Sequence, residues 1–317
     1  MAEPVLVVIP LPESCRDHLQ GRFELMEVPV AALSSLSSAT REGLRAAVTN
    51  GSTGFSSQAM ECLPQLALIA CLGAGYEGVD LDAAGTRGIP VTCARGANAA
   101  TVADHAIGLM LAVMRDIPAR DAAVRAGMFS TSRSERPTAS GSRLGIIGLG
   151  QIGQAIAQRG AAFGMQVSYC TRRAVACQPW RYVADLVDLA AASDVLVAAC
   201  PGGAETYHIV DAKILQALGP NGVLINIARG SVVDTAALAD ALRRGIIAGA
   251  GLDVWEGEPE LPASLQAARN VVLTPHMAGR SPNALIQQAS TLVENLEALF
   301  AGQPLRPDTL VMRPSLA

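Results

Sequence analysis

Three observations predict an α/β chain built as two doubly wound parallel-sheet domains with a cleft between them. A glycine-rich turn joins an apolar strand to a helix within 144–158 (LGIIGLGQIGQAIAQ). Strand and helix patterns alternate on both sides of it, which implies parallel strands linked by helical crossovers. Half of the 317 residues are hydrophobic and only 16% are charged, as sheets covered on both faces require. A chain this long exceeds the usual size of one core, so two domains are expected, 1–98 plus 283–317 and 99–282.

The first series places strands at 5–9, 24–28, 46–49, 66–72 and 90–92. Helical stretches fall at 13–20, 56–63 and 80–87. From 101 to 116 the chain reads as one long apolar helix, with Asn98 and Thr101 as cap candidates. The stretch 127–143 is rich in Ser, Thr, Arg and Gly and reads as exposed loop. A second series begins at Leu144, with strands at 144–148, 166–170, 194–199, 222–227, 247–252 and 271–274. Helices near 151–163, 185–192, 211–218 and 235–244 connect them, and six such strands match a complete doubly wound sheet. A last helix, 283–301, is stopped by Gly302 and Pro304 and is expected to return to the first domain.

Bulk properties exclude several partners. Net charge is −4 with no basic stripe, which argues against nucleic acid. The longest apolar helical run, AIGLMLAVM at 106–114, is too short to cross a bilayer. Acidic Glu3 precedes a strand-like VLVVI, so no signal peptide is evident. The seven cysteines are odd in number and form no C-x-x-C pair, which fits buried thiols in a reducing cytoplasm.

Gly148, Gly150 and Gly153 form a G-x-G-x-x-G between the strand LGII and the helix that follows. The glycines let the turn be tight, the backbone approach a pyrophosphate, and the helix pack close. The helix N-terminus adds N–H groups and partial positive charge. A Rossmann-type dinucleotide site is the expectation. In an NAD-binding unit of this kind an acid about 20 residues past the glycines accepts the ribose hydroxyls. Here Thr171, Arg172 and Arg173 occupy that strand end, and no Asp or Glu occurs between Gly153 and Asp185. Two guanidiniums and a hydroxyl suit a 2′-phosphate, so NADP(H) is the preferred cofactor and NAD(H) the alternative.

GLGQIG (148–153), INIARGSVVD (225–234), AGLDVWEGEP (250–259) and TPHMAG (274–279) resemble the signature blocks of the D-2-hydroxyacid dehydrogenase family. ACLGAGYEGVD (70–80) and ATVADHAIGLMLAVMR (100–115) match two further blocks, in the same order and over nearly the whole chain. The chain is most similar to the glyoxylate/hydroxypyruvate (and hydroxyphenylpyruvate) reductase branch. The resemblance implies reduction of a small 2-oxo acid, a flavodoxin-like substrate-binding first domain, an NADP-binding second domain, and a homodimer with the helix 101–116 and its following loop as the arm. It also implies domain closure about hinges near 97–100 and 279–283. Phosphoglycerate and other NAD-using dehydrogenases share the fold, as do non-enzymatic dinucleotide-sensing corepressors.

Arg229 follows VLINIA at a strand's C-terminal end, where ligands bind in open α/β sheets. A guanidinium there can clasp a carboxylate and polarise the adjacent carbonyl. His276 leaves the strand VVLTP at the same edge, and reduction of a ketone needs a proton that imidazole can supply near neutral pH. His18, His105 and His208 fit structural roles better. The resemblance makes Glu258 the partner of His276, with Glu256 as the alternative. It places Asp253 against the nicotinamide carboxamide, although an Asp at a strand tip could equally cap the next turn. Leu72, Gly73, Ala74 and Gly75 would hold the substrate carboxylate, with Tyr76 lining the pocket or packing. Further cofactor contacts implied are Gln151, Ile152, Cys200, Pro201, Thr206, Ile227, Ala228 and Ala278. No metal is expected, since no ligand spacing is present and Arg229 supplies the positive charge.

Overall fold

Short, β-branched and aliphatic runs form the inner strands, and Ala46–Thr49, Leu68–Cys71, Val195–Ala198 and Val223–Asn226 are buried throughout, while the edge strands are only partly buried. The computed structural model describes residues 2–311; Met1 and residues 312–317, which the first expected domain includes, lie outside the described residues. The chain packs as two units, one made of the residues up to Asn98 and those from Arg280 onward, the other Ala99–Gly279.

In the first unit β1 (Glu3–Val7), β2 (Phe23–Glu27), β3 (Ala46–Thr49), β4 (Leu68–Cys71) and β5 (Val91–Cys93) form one parallel sheet in the order β2-β1-β3-β4-β5. That is the flavodoxin-like order. The helix Pro282–Phe300 is capped by the Ser281 hydroxyl, which accepts from the Ala284 amide at 3.2 Å. It buries Leu292, Val293 and Leu296 in the same core as Val5, Leu6, Ile69 and Met60.

In the second unit β6 (Arg143–Ile147), β7 (Gln166–Cys170), β8 (Arg181–Tyr182), β9 (Val195–Ala198), β10 (Val223–Asn226), β11 (Gly249–Leu252) and β12 (Val271–Leu273) form a parallel sheet in the order β12-β11-β10-β9-β6-β7-β8. It has seven strands where six were expected. The extra one, β8, is a two-residue edge strand too short to leave any periodicity. The helix Ala99–Arg115 packs on β10 and β11 and buries Ala106, Leu109, Met110 and Val113. A Cβ at Gly251 would stand 3.0 Å from the Leu109 Cβ, so that glycine sets how closely the helix approaches β11. Asn98 directly precedes this helix, but its Oδ1 is buried without a hydrogen-bond partner, so it does not act as the cap; Thr101 lies inside the first turn. A second helix, Ile117–Arg125, was not expected from the sequence. It buries no residue, so it carries no apolar stripe to read.

Candidate active site

The strand order reverses at β6, which lies between β7 and β9. Ligands of open α/β sheets bind at such a switch point, beyond the strands' C-terminal ends. The three glycines there divide their work. Gly148 has φ +94°, and a Cβ on it would come within 2.8 Å of the Cys200 backbone at the end of β9. A Cβ at Gly153 would strike the Gly148 carbonyl oxygen at 2.1 Å. At Gly150, which opens the helix Gln151–Ala162, a Cβ would meet nothing within 4 Å. The outer glycines are required by packing, while the middle one leaves an open cradle at a helix N-terminus. That arrangement fits a dinucleotide pyrophosphate. Gln151 is exposed and Ile152 half-buried at this turn.

At the end of β7 the Thr171 hydroxyl donates to the Arg173 carbonyl at 2.7 Å, and Arg172 and Arg173 are exposed. Arg172 Nη1 is 2.9 Å from Glu205 Oε2, with both side chains mostly in solvent. Sequence reasoning missed this carboxylate. It arrives from the turn after β9, 33 residues away, so a count of acids along the β7 connection could not find it. On the same turn the Thr206 hydroxyl donates to the carbonyl of exposed Pro201 at 2.7 Å. The half-buried Cys200 thiol is pushed up to about 11 by burial, which makes it inert near neutral pH.

Arg229, half-buried, begins the turn after β10. Asn226 braces that turn: its Oδ1 accepts from the Ala228 amide at 3.1 Å and its Nδ2 donates to the Arg229 carbonyl at 3.1 Å. Arg229 Nη1 donates to the Ala228 carbonyl at 2.6 Å. Its aliphatic stem passes close enough to Gly202 that a Cβ there would stand 2.8 Å from Arg229 Cγ. Ile227 and Ala228 are buried beneath it.

His276 follows β12 with φ +50°, a conformation an L-residue holds only under constraint. Its amide donates to the Asp253 carbonyl at 2.9 Å. Asp253 is 2% exposed, and its carboxylate holds the same turn. Oδ1 accepts from the Thr274 hydroxyl at 2.6 Å and the Met277 amide at 2.9 Å, and Oδ2 from the Ala278 amide at 2.8 Å. Of the two readings left open for Asp253, capping is the one these bonds describe, and the turn it caps is the one that carries His276. His105 Nε2 lies 2.9 Å from the Thr274 hydroxyl oxygen and joins this network.

His276 Nδ1 is 2.8 Å from Glu258 Oε2, and Glu258 Oε1 accepts from the Trp255 amide at 3.0 Å. Burial raises the Glu258 carboxyl, but the hydrogen bond and charge of His276, the Trp255 amide and the charge of Arg229 outweigh it. The carboxyl therefore stays ionised below its ordinary range. The Arg229 guanidinium thus acts on the same carboxylate that His276 touches. Glu256 points elsewhere, with Oε1 2.7 Å from His208 Nε2. Leu72–Gly75 belong to the first unit. They follow β4, with the Leu72 amide donating to Thr49 and the Gly73 carbonyl accepting from Ala94 at 2.7 Å, and Gly73 has φ +97°. Among the described residues one trio, His208, Asp234 and Glu256, brings possible metal-ligand atoms within 4.8 Å of one another.

Residues 107–278 match the D-isomer-specific 2-hydroxyacid dehydrogenase NAD-binding domain. The chain belongs to the D-isomer-specific 2-hydroxyacid dehydrogenase family. It is 40% identical over 303 residues to hydroxyphenylpyruvate reductase of Plectranthus scutellarioides, covering 95% of this chain and 97% of the relative. It is 39% identical to glyoxylate/hydroxypyruvate reductase A of Arabidopsis thaliana, with the same coverage. Its fold superposes on the NADPH-dependent glyoxylate/hydroxypyruvate reductase of Sinorhizobium meliloti, solved with NADP and malonate. The TM-score is 0.90 at 37% identity, over 98% of this chain and 97% of that one. Members of the family are NAD(P)-dependent oxidoreductases, and so is this protein. Among the described residues no helix is long and apolar enough to cross a membrane.

Proposed function

We propose that the protein reduces small 2-oxo acids, glyoxylate and hydroxypyruvate foremost, with NADPH, using Arg229, His276 and Glu258. The observation that carries this reading is the His276–Glu258 contact at 2.8 Å under the charge of Arg229. Arg229, anchored on the Ala228 carbonyl, receives the substrate carboxylate and draws electron density from the adjacent carbonyl. Glu258 occupies Nδ1 of His276, which leaves Nε2–H as the proton donor to the carbonyl oxygen. Reduced nicotinamide, when bound, supplies hydride to the carbonyl carbon. The cradle at Gly150 would hold its pyrophosphate, and Ile227, Ala228 and Ala278 would border the ring.

Thr171, Arg172 and Arg173 support NADP(H). Glu205 stands against them in part, because a 2′-phosphate must take its place at Arg172. An exposed pair of this kind contributes little, so the exchange favours the dianion. A reducing cytoplasm accords with seven free thiols. The test is kcat/KM for glyoxylate and hydroxypyruvate with NADPH and with NADH. NADPH is expected to be the better cofactor, and Arg172→Ala/Arg173→Ala to erase that advantage. A wild-type preference for NADH contradicts the assignment.

A further inference from the structure

Two histidine–glutamate pairs lie side by side in the second unit, and only one of them has a role in the reaction proposed above. In the other, His208 Nε2 is 2.7 Å from Glu256 Oε1. Glu256 is locked on its far side, where Oε2 accepts from the Thr235 amide at 3.1 Å and its own amide donates to the Thr235 hydroxyl at 3.3 Å. His208 is itself fixed. It has φ +50°, its ring stacks on Tyr207 at 3.9 Å and 18°, and its amide donates to the Ser231 carbonyl at 2.8 Å. The charged groups facing it are Glu256 and Asp234, whose Oδ2 is 3.9 Å from Nδ1. Asp234 is already committed as the cap of helix Thr235–Arg244.

The two bonds of His208 reach both loops that carry the reactive side chains. Ser231 is two residues past Arg229, and Glu256 is two residues before Glu258. Between those loops there is no slack: a Cβ on Gly230 would stand 2.2 Å from the Trp255 carbonyl oxygen. Trp255 in turn donates its amide to Glu258. We propose that His208, through Glu256, is a positioning residue that holds the Trp255–Glu258 loop so that the Glu258 carboxylate meets His276. His208 also ends the turn that holds Pro201 and Thr206, so it ties that turn to the reactive loops. A half-buried pair bonded at both ends keeps its geometry without contacting substrate.

The proposal rests on Glu258 acting through His276, and the experiment separates the two. The readout is the far-downfield proton of the His276 Nδ1–H bonded to Glu258, followed in the free protein alongside kcat and the KM for cofactor. Only four histidines are present, so assignment is tractable. In His208→Ala the signal is expected to be lost to exchange and kcat to fall about tenfold, with cofactor KM within about twofold, as a displaced reactive group requires. His208→Gln, which keeps a donor toward Glu256, restores both. If His208→Ala does not fold, His208→Phe keeps the stack on Tyr207 while removing the bond, and the same losses are expected. A signal retained in the Ala or Phe variant overturns the proposal, whatever the rate. If Glu258→Gln leaves kcat unchanged, the underlying reading fails as well; if it lowers kcat while the His208 variants keep the signal, only the positioning role fails.

Discussion

Glu256 and Glu258 differ by two positions in an acidic loop, and it is the family resemblance that selects Glu258 for His276, with Glu256 as the alternative. The structure separates them because each carboxylate has its own imidazole, His208 for one and His276 for the other. Arg229, His276 and the glycines were legible in the sequence because strand ends mark the ligand edge. Of the braces behind them, capping was one of the two readings of Asp253, but Asn226, which braces its own turn, and Thr274 and His208, whose partners come from distant loops, were not legible. The Glu258 carboxyl lies below its ordinary value, so its pairing with His276 is present above about pH 4.3 and is lost as pH falls through the lowered folded value. Glu258→Gln is expected to be less stable than wild type at pH 7, with the difference shrinking under acid. Urea unfolding at several pH values checks this, and a difference that grows as pH falls contradicts it.

At the scale of elements, the turn Gly148–Gly153 makes opposite demands at neighbouring positions. Gly153→Ala drives a methyl into the Gly148 carbonyl and is expected to cost about 1–3 kcal/mol of stability. Gly150→Ala meets no protein atom and is expected to fold with unchanged Tm while weakening dinucleotide binding, because the methyl fills the cradle. Thermal melts and fluorescence titration with NADPH distinguish the two, and equal Tm losses would show that the cradle is not open. Long strands and amphipathic helices such as Thr235–Arg244 were readable from period and caps. The edge strand β8 was too short, and helix Ile117–Arg125 buries nothing, so neither leaves a periodic signal.

For the whole molecule, apolar exposure is concentrated. Ile117, Val124, Met128 and Phe129 are about half exposed or more, and they are four of the eight large exposed hydrophobic residues among those described. Exposed apolar side chains along one segment suit burial against a second copy of the chain, the dimer arm that the resemblance implies. Light scattering is expected to give a dimer for wild type and a smaller species for Phe129→Asp; a wild-type monomer contradicts the assignment.

The central claim is that the His276 imidazole, held by Glu258, delivers the proton in carbonyl reduction. The direct measurement is kcat for glyoxylate with NADPH in His276→Ala. The account predicts a loss of about 100-fold or more with cofactor binding intact, the scale of general acid catalysis, whereas a rate within about threefold of wild type contradicts it.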